Sequence, residues 1–145
     1  VELTDWATTG SAIRAIRETV FIHEQGVPVE LEWDGLDLSC AHVLAWNDRG
    51  EAIGTARMQQ NGTIGRMAVL KDWRGRGVGR ALLQTLLELA TRQRLARVTL
   101  SAQTHALGFY ERAGFHVVGE PFIDAGIPHR KMEREVRSPE AYLEK

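Results

Sequence analysis

Apolar residues recur along this chain in two periods. Ile13, Ile16 and Val20 lie three and four apart, and that spacing predicts a helix over residues 11–24. Val78, Leu82, Leu86 and Leu89 make a longer stripe, widened by Leu83, Leu87 and Ala90, which predicts the main helix over residues 77–93, packed deeply on a sheet. Between them, "AHVLAW" (Ala41 to Trp46), "AIGTARMQ" (Ala52 to Gln59) and "TIGRMAVL" (Thr63 to Leu70) read as strands of a meander. The turns are "NDRG" (Asn47 to Gly50) and Asn61-Gly62. "RVTLSA" (Arg97 to Ala102) reads as a buried strand. "THALGFYERAGF" (Thr104 to Phe115) reads as a short helix stopped at Gly114 in a Schellman-type ending. "HVVGEPF" and "HRKMEREV" are two further strands, Val1-Glu2-Leu3 a short edge strand, and Ser138-Pro139-Glu140 a helix start in the tail. This order predicts an α+β fold with a mixed, mainly antiparallel central sheet flanked by helices.

The stretch Arg74-Gly75-Arg76-Gly77-Val78-Gly79-Arg80 places three glycines and three arginines where the main helix begins. Glycine permits positive φ and close approach. The first amides of a helix have no intrahelical partner and sit at the positive end of its dipole, a setting for a phosphate. A P-loop requires Lys-Ser/Thr after the last glycine, and Arg80-Ala81 stands there. The dinucleotide fingerprint requires glycine at position 80 and a preceding βαβ strand, and neither is present. A pyrophosphate cradle and a plain glycine-rich turn with solvated arginines remain.

Composition narrows the classes. With 145 residues, 43% of them hydrophobic, one domain spanning 1–145 is expected. A formal net charge of -1 argues against a nucleic-acid binder, and no apolar run suggests a membrane span. The lone Cys40 excludes an internal disulfide and is read as a small buried filler. With no signal-peptide layout at the start, a cytoplasmic setting is the simplest expectation. The histidines at 23, 42, 105, 116 and 129 show no ligand spacing, and His23-Glu24-Gln25-Gly26-Val27 lacks the second histidine of a zinc-protease motif, so no metal is expected.

The segment "IGRMAVLKDWRGRGVGRALL" resembles the strand-loop-helix unit of the GNAT N-acetyltransferases, with Arg74 to Gly79 similar to their R/Q-x-x-G-x-G/A signature. "ALGFYERAGFHVVGE" (Ala106 to Glu120) resembles their second hallmark, in the same order and at similar spacing. "VFIHEQGVP" (Val20 to Pro28) is similar to a run in a bacterial subgroup of the family.

The resemblance implies a GNAT fold, acetyl-CoA as acyl donor and direct attack by a primary amine of a small molecule or protein. It implies that the amides from Gly75 through Arg76, Gly77, Val78 and Gly79 to Arg80 take the pyrophosphate. The pantetheine arm would then run beside Met67, Ala68 and Val69, where a backbone N–H would serve the oxyanion. Gln103 stands where many relatives carry asparagine. Tyr110 matches the family's acid position, facing the departing thiolate. A homodimer through the terminal strands or tail is what the family suggests.

The proton acceptor is expected in "FIHEQGVPVELEWDGLD" (Phe21 to Asp37), a loop rich in carboxylates, with Glu24 and Asp37 the picks. An acceptor wall that draws a cationic amine and an ordinary solvated acidic loop stand evenly there. His42 and His129 are either pocket-lining or ordinary hydrogen-bonded histidines. Trp33 is a candidate to stack on an acceptor, and Trp6, Trp46 and Trp73 read as packing residues. A donor with a longer acyl chain, and a non-catalytic acyl-CoA sensor or interaction module, are the alternatives.

Overall fold

The computed structural model describes residues 1–136; the tail helix expected from Ser138 lies outside them. The chain forms two compact units. The first comprises Val1–Gln60 and Ile64–Leu86, the second Asn61–Thr63 and the chain from Leu87 onward.

In the first unit, β1 (Glu2–Thr4), β2 (Ala41–Trp46), β3 (Ala52–Met58) and β4 (Ile64–Val69) form an antiparallel sheet in that order. Helix α1 (Trp6–Arg17) starts five residues before the periodicity suggested. Asp5 is its cap: a carboxylate oxygen accepts the Thr8 N–H at 2.8 Å. Thr9 then departs from helical φ/ψ, and that kink breaks the pattern that a sequence reader follows. The chain continues as a π-helical segment, Glu18–Glu24, where the Gln25 N–H reaches back five residues to the Val20 carbonyl at 3.1 Å. Ile13, Ile16 and Val20 do form one buried cluster, with Leu44 and Ala68 of the sheet.

The expected loop at residues 26–37 contains one helical turn, α2 (Val29–Glu32), and a 3₁₀ turn, Asp37–Ser39, follows its last stretch. Cys40 is buried, as its filler role requires. Helix α3 (Val78–Arg92) follows the glycine stretch, and the unit boundary falls within it. Its apolar stripe is buried through Leu82, Leu83 and Leu86 in the first unit and Leu87, Leu89 and Ala90 in the second.

The second unit holds β5 (Arg97–Gln103), α4 (Leu107–Arg112), β6 (His116–Asp124) and β7 (Ile127–Glu135). The sheet order is β5-β7-β6, all antiparallel. The one parallel contact among the described residues is a single bridge, Thr63 to Thr99. The turn glycine Gly62 has φ +91°, and a Cβ there would lie 2.8 Å from the Arg97 carbonyl oxygen, so only glycine fits. Helix α4 ends as its sequence indicated. The Phe115 N–H bonds to the Tyr110 carbonyl (3.1 Å) and the Gly114 N–H to that of Glu111 (3.0 Å), with Gly114 at φ +92°. No helix among the described residues is long and apolar enough to cross a membrane.

Helix α3 lies close to the sheet at Gly54. A Cβ on that glycine would lie 2.9 Å from Val78 Cγ1 and 3.2 Å from Leu82 Cδ1. Gly54→Ala is therefore expected to lower the unfolding free energy by about 1–3 kcal/mol. Gly65→Ala, whose Cβ would meet nothing within 4 Å, should change it by less than about 0.5 kcal/mol. Urea denaturation of the two variants checks the difference.

Candidate active site

Strand β4 pairs with β3 through Thr55–Ala68 and Arg57–Gly65, so Arg66 and Met67 together oppose the single residue Ala56. This is a β-bulge: it takes Arg66 and Met67 out of the regular ladder, which resumes at Ala68 and Val69 opposite Thr55 and Gly54. Arg66 stands there at φ +48°, a conformation that costs a side-chain-bearing residue roughly 1–2 kcal/mol. Beyond Val69 a 3₁₀ turn, Lys71–Trp73, leads to the glycine stretch. Gly75 (φ +74°) and Gly77 (φ +83°) are both left-handed, and a Cβ on either would meet nothing within 4 Å. The cradle is thus open on the side where side chains would project, and the helix acceptors begin at the Gly77 carbonyl, which takes the Ala81 N–H at 3.1 Å. The amides of the first turn have no partner inside the helix. Arg76 stacks over Trp73 at 4.8 Å.

Arg74 is engaged elsewhere. Its Nε donates to the Val69 carbonyl at 2.9 Å, and its Nη2 donates to both carboxylate oxygens of Glu24, at 3.0 and 2.8 Å. One of the two expected proton acceptors is therefore ion-paired to Arg74, whose positive charge, with that of Arg76 and Arg80, the sequence sets beside the expected phosphate site.

The acidic segment is the largest departure from expectation. Two of its carboxylates are buried, Glu32 at 2% exposed and Asp37 at 7%, while Glu24, Glu30 and Asp34 keep exposed surface. Arg17, wholly buried on α1, donates from Nε to Glu32 (2.6 Å), from Nη1 to Asp37 (2.6 Å) and from Nη2 to the Glu32 carbonyl (3.2 Å). Arg57 of β3 donates from Nη1 to the same Asp37 oxygen (2.9 Å) and to Asp34 (3.0 Å), and its Nη2 closes a two-pronged pair with Asp34. Arg66 donates to the carbonyls of Leu31 and Glu32, both at 3.2 Å, and lies 3.3 Å from Asp34 Oδ2 and 3.4 Å from Glu32 Oε1. Three arginines thus face three carboxylates, and the charges balance.

Hydrogen bonds from Arg57 hold the Asp34 carboxyl well below its ordinary range. Burial would raise Asp37, but the bonds from Arg17 and then Arg57 outweigh it and the net direction is down. Glu32 goes the other way: burial pushes it up, and the arginines recover only part. Asp37 was expected to accept an amine's proton; it is a carboxylate already committed to two guanidiniums, with its proton affinity lowered.

His42 is fully buried beside Trp6 (ring centroids 5.7 Å apart), with Nε2 2.8 Å from the Asp37 carbonyl. A carbonyl can only accept, so Nε2 carries the hydrogen. Burial lowers the imidazole's pKa and keeps it neutral at pH 7. Trp33 is covered by arginines, Arg14 at 4.2 Å and Arg17 at 4.9 Å from its ring. Trp46 is 40% exposed, with its indole N–H on Glu2, and so packs less than expected.

In the second unit, Tyr110 lies on α4, edge-on to Phe109 (5.0 Å) and Phe115 (6.0 Å). Burial pushes its phenol up to about 12. Gln103 ends β5 in register with His129 of β7. His129 stacks on Phe122 at 5.7 Å and bonds through Nδ1 to the Ile127 carbonyl at 2.7 Å.

Sequence reasoning passed over Arg17, Arg57 and Arg66. Arg17 adjoins the apolar stripe of α1, and Arg57 sits in a strand whose neighbours are buried. A charge at such a position next to a carboxylate-rich segment was the available signal.

A strand with a bulge, a glycine cradle and a long helix follow one another here, and comparison with known proteins assigns the class. Residues 13–136 match the family model described as "Acetyltransferase (GNAT) domain". The chain is 36% identical over 124 residues to the uncharacterized N-acetyltransferase YjcF of Bacillus subtilis, covering 83% of this chain and 88% of that one. Among solved structures it resembles an acyl-CoA N-acyltransferase from Pseudomonas aeruginosa (37% identity, TM-score 0.77, 86% and 88% covered). It also resembles Escherichia coli ElaA (34% identity, TM-score 0.80, 88% and 90% covered). The chain belongs to the GNAT acetyltransferase family and is a transferase that takes its acyl group from an acyl-CoA donor.

Replacing Arg17 by Met would leave two buried carboxylates short of their partner, so a loss of about 3–5 kcal/mol is expected, read by chemical denaturation. Asp34 and Asp37 have folded pKa values below their ordinary 3.8. Their contribution is therefore fully present above about pH 5 and is lost as pH falls through the folded values. Asp34→Asn should be less stable at pH 7 and show a shallower fall in stability below pH ~4.

Proposed function

We propose that this protein is an N-acetyltransferase in which acetyl-CoA is the donor and a primary amine, on a small molecule or a protein, is the acceptor. The observation that carries the reading is the open cradle at Gly75 and Gly77 before α3. Its left-handed glycines turn the chain into α3, whose first-turn amides have no partner inside the helix and suit a pyrophosphate. Bound there, acetyl-CoA supplies an activated acetyl thioester.

The chain's own residues do the rest. Gly75, Arg76, Gly77, Val78, Gly79 and Arg80 hold the phosphates by backbone amides and charge, and Arg74 does so on exchanging Glu24 for phosphate. Met67, Ala68 and Val69 line up the pantetheine arm, and a backbone N–H there stabilises charge growing on the carbonyl oxygen. Gln103 offers its amide to the donor. Glu24, half-exposed, accepts the amine's proton, directly or through water. Asp37 serves the acceptor wall by fixing Arg17 and Arg57.

To Tyr110, which matches the family's acid position, falls the role of donor to the departing sulfur. With its phenol at about 12 it is protonated throughout the neutral range. Full transfer to a thiolate of pKa about 8.5 would be uphill by roughly 5 kcal/mol. Tyr110 therefore acts by donating a hydrogen bond to the sulfur, and the proton that completes the thiol comes from solvent.

We further propose that residues 1–145 act as one domain, cytoplasmic and homodimeric, without nucleic-acid or membrane partners. The family match, which runs from residue 13 to 136, supports the single-domain reading.

A panel of amines with acetyl-CoA, followed by thiol detection and product mass, tests the activity. Binding without thiol release across the panel would favour an acyl-CoA sensor. Gly77→Asp and Gly77→Asn differ only in charge, and both side chains tolerate left-handed backbone. The Asp variant should lose CoA binding and the Asn variant retain it, by calorimetry. Tyr110→Phe should cut kcat about 10²-fold or more with CoA affinity nearly unchanged. Wild-type kcat should show no loss attributable to Tyr110 ionisation below pH ~11, since the donor proton is lost only as pH rises through its raised pKa.

A further inference from the structure

We infer that Arg66 is a positioning residue for acyl transfer: it ties the acceptor wall to the β4 bulge, so that amine and thioester are presented to each other by one rigid piece. This rests on the acetyltransferase reading above.

Arg66 occupies a bulge at φ +48°, where glycine would sit without strain. An arginine is kept there, and its side chain shows a use. Its guanidinium donates to the carbonyls of Leu31 and Glu32, the last two residues of α2, and also reaches Asp34. Those carbonyls end a one-turn helix and have no partner within it. One side chain therefore caps α2, joins the carboxylate cluster and fixes the bulge from which Met67, Ala68 and Val69 follow. Arg74 makes a second tie, from the Val69 carbonyl to Glu24, which it gives up on taking phosphate, so the Arg66 tie is the one that holds residues 31–34 to β4 with the donor bound. The cofactor cradle at Gly75 and Gly77 begins beyond these ties, so loss of the Arg66 tie spares phosphate binding while loosening the reacting groups. Misplacement by about an ångström is enough to cost on the order of 10²-fold in rate.

Arg66→Gly tests this, because it keeps the backbone conformation and removes only the tether. The expected result is a fall in kcat of about 10-fold or more with the acetyl-CoA Kd within about 2-fold of wild type. Amide hydrogen exchange should become faster at residues 31–37 and 67–69 and stay unchanged in β2. Arg66→Lys, which keeps a charge and a donor but not the fork, should lie between the two; if Arg66→Gly fails to fold, the same split must appear in Arg66→Lys. A wild-type rate in a folded Arg66→Gly protein overturns the inference, as does unchanged exchange at both segments. If wild type itself releases no thiol with any amine, the acetyltransferase reading fails, and exchange alone decides the tether.

Discussion

One oxygen of Asp37 is shared by two guanidiniums, Arg17 at 2.6 Å and Arg57 at 2.9 Å, and the order of the first unit depends on that sharing. Arg17 comes from α1, Arg57 from β3, and Asp37 opens the turn before β2. Each of these charges, alone in an apolar surrounding, would be costly; together with Glu32, Asp34 and Arg66 they cancel. Such a cluster adds little net stability compared with well-packed apolar side chains. What it does is specify: any other placement of residues 29–37 leaves a buried charge without a partner.

That constraint turns the segment inside out. Glu32 and Asp37 point inward and Asp34 is held by Arg57 and Arg66, while Glu30 faces solvent beside Leu38, which is 79% exposed, and Val29, Leu31 and Leu36. Electrostatic attraction of a cationic amine by a free acidic loop is therefore weak here. The segment contributes shape and rigidity beside β4, and in the proposed reaction the remaining chemistry falls to backbone amides, to Glu24 and to Tyr110. Preorganised donors and fixed geometry are the means that a direct transfer without a covalent enzyme intermediate requires.

Much of the fold was legible because period and punctuation agreed. The stripe from Val78 to Leu89 and the Gly114-Phe115 stop read correctly to within a residue or two. So did the meander, since its turns carry Asn and Gly where the chain reverses. Two features were hidden. The start of α1 was masked by Thr9, whose non-helical backbone interrupts the pattern, and the π-helical segment has no sequence signature of its own. In the candidate site the glycine cradle was legible because backbone conformation alone demands glycine there. The carboxylate cluster was not: whether a carboxylate is solvated or paired is decided by arginines 15 to 34 residues away in sequence, which no local pattern encodes.

The buried guanidiniums are open to direct observation. In ¹H–¹⁵N spectra at pH 7, the side-chain protons of Arg17 and Arg57 should give separate, slowly exchanging resonances that disappear in Asp37→Asn before the rest of the first unit is affected. Arginine side chains that exchange with water as fast as those of exposed Arg49 would contradict the account.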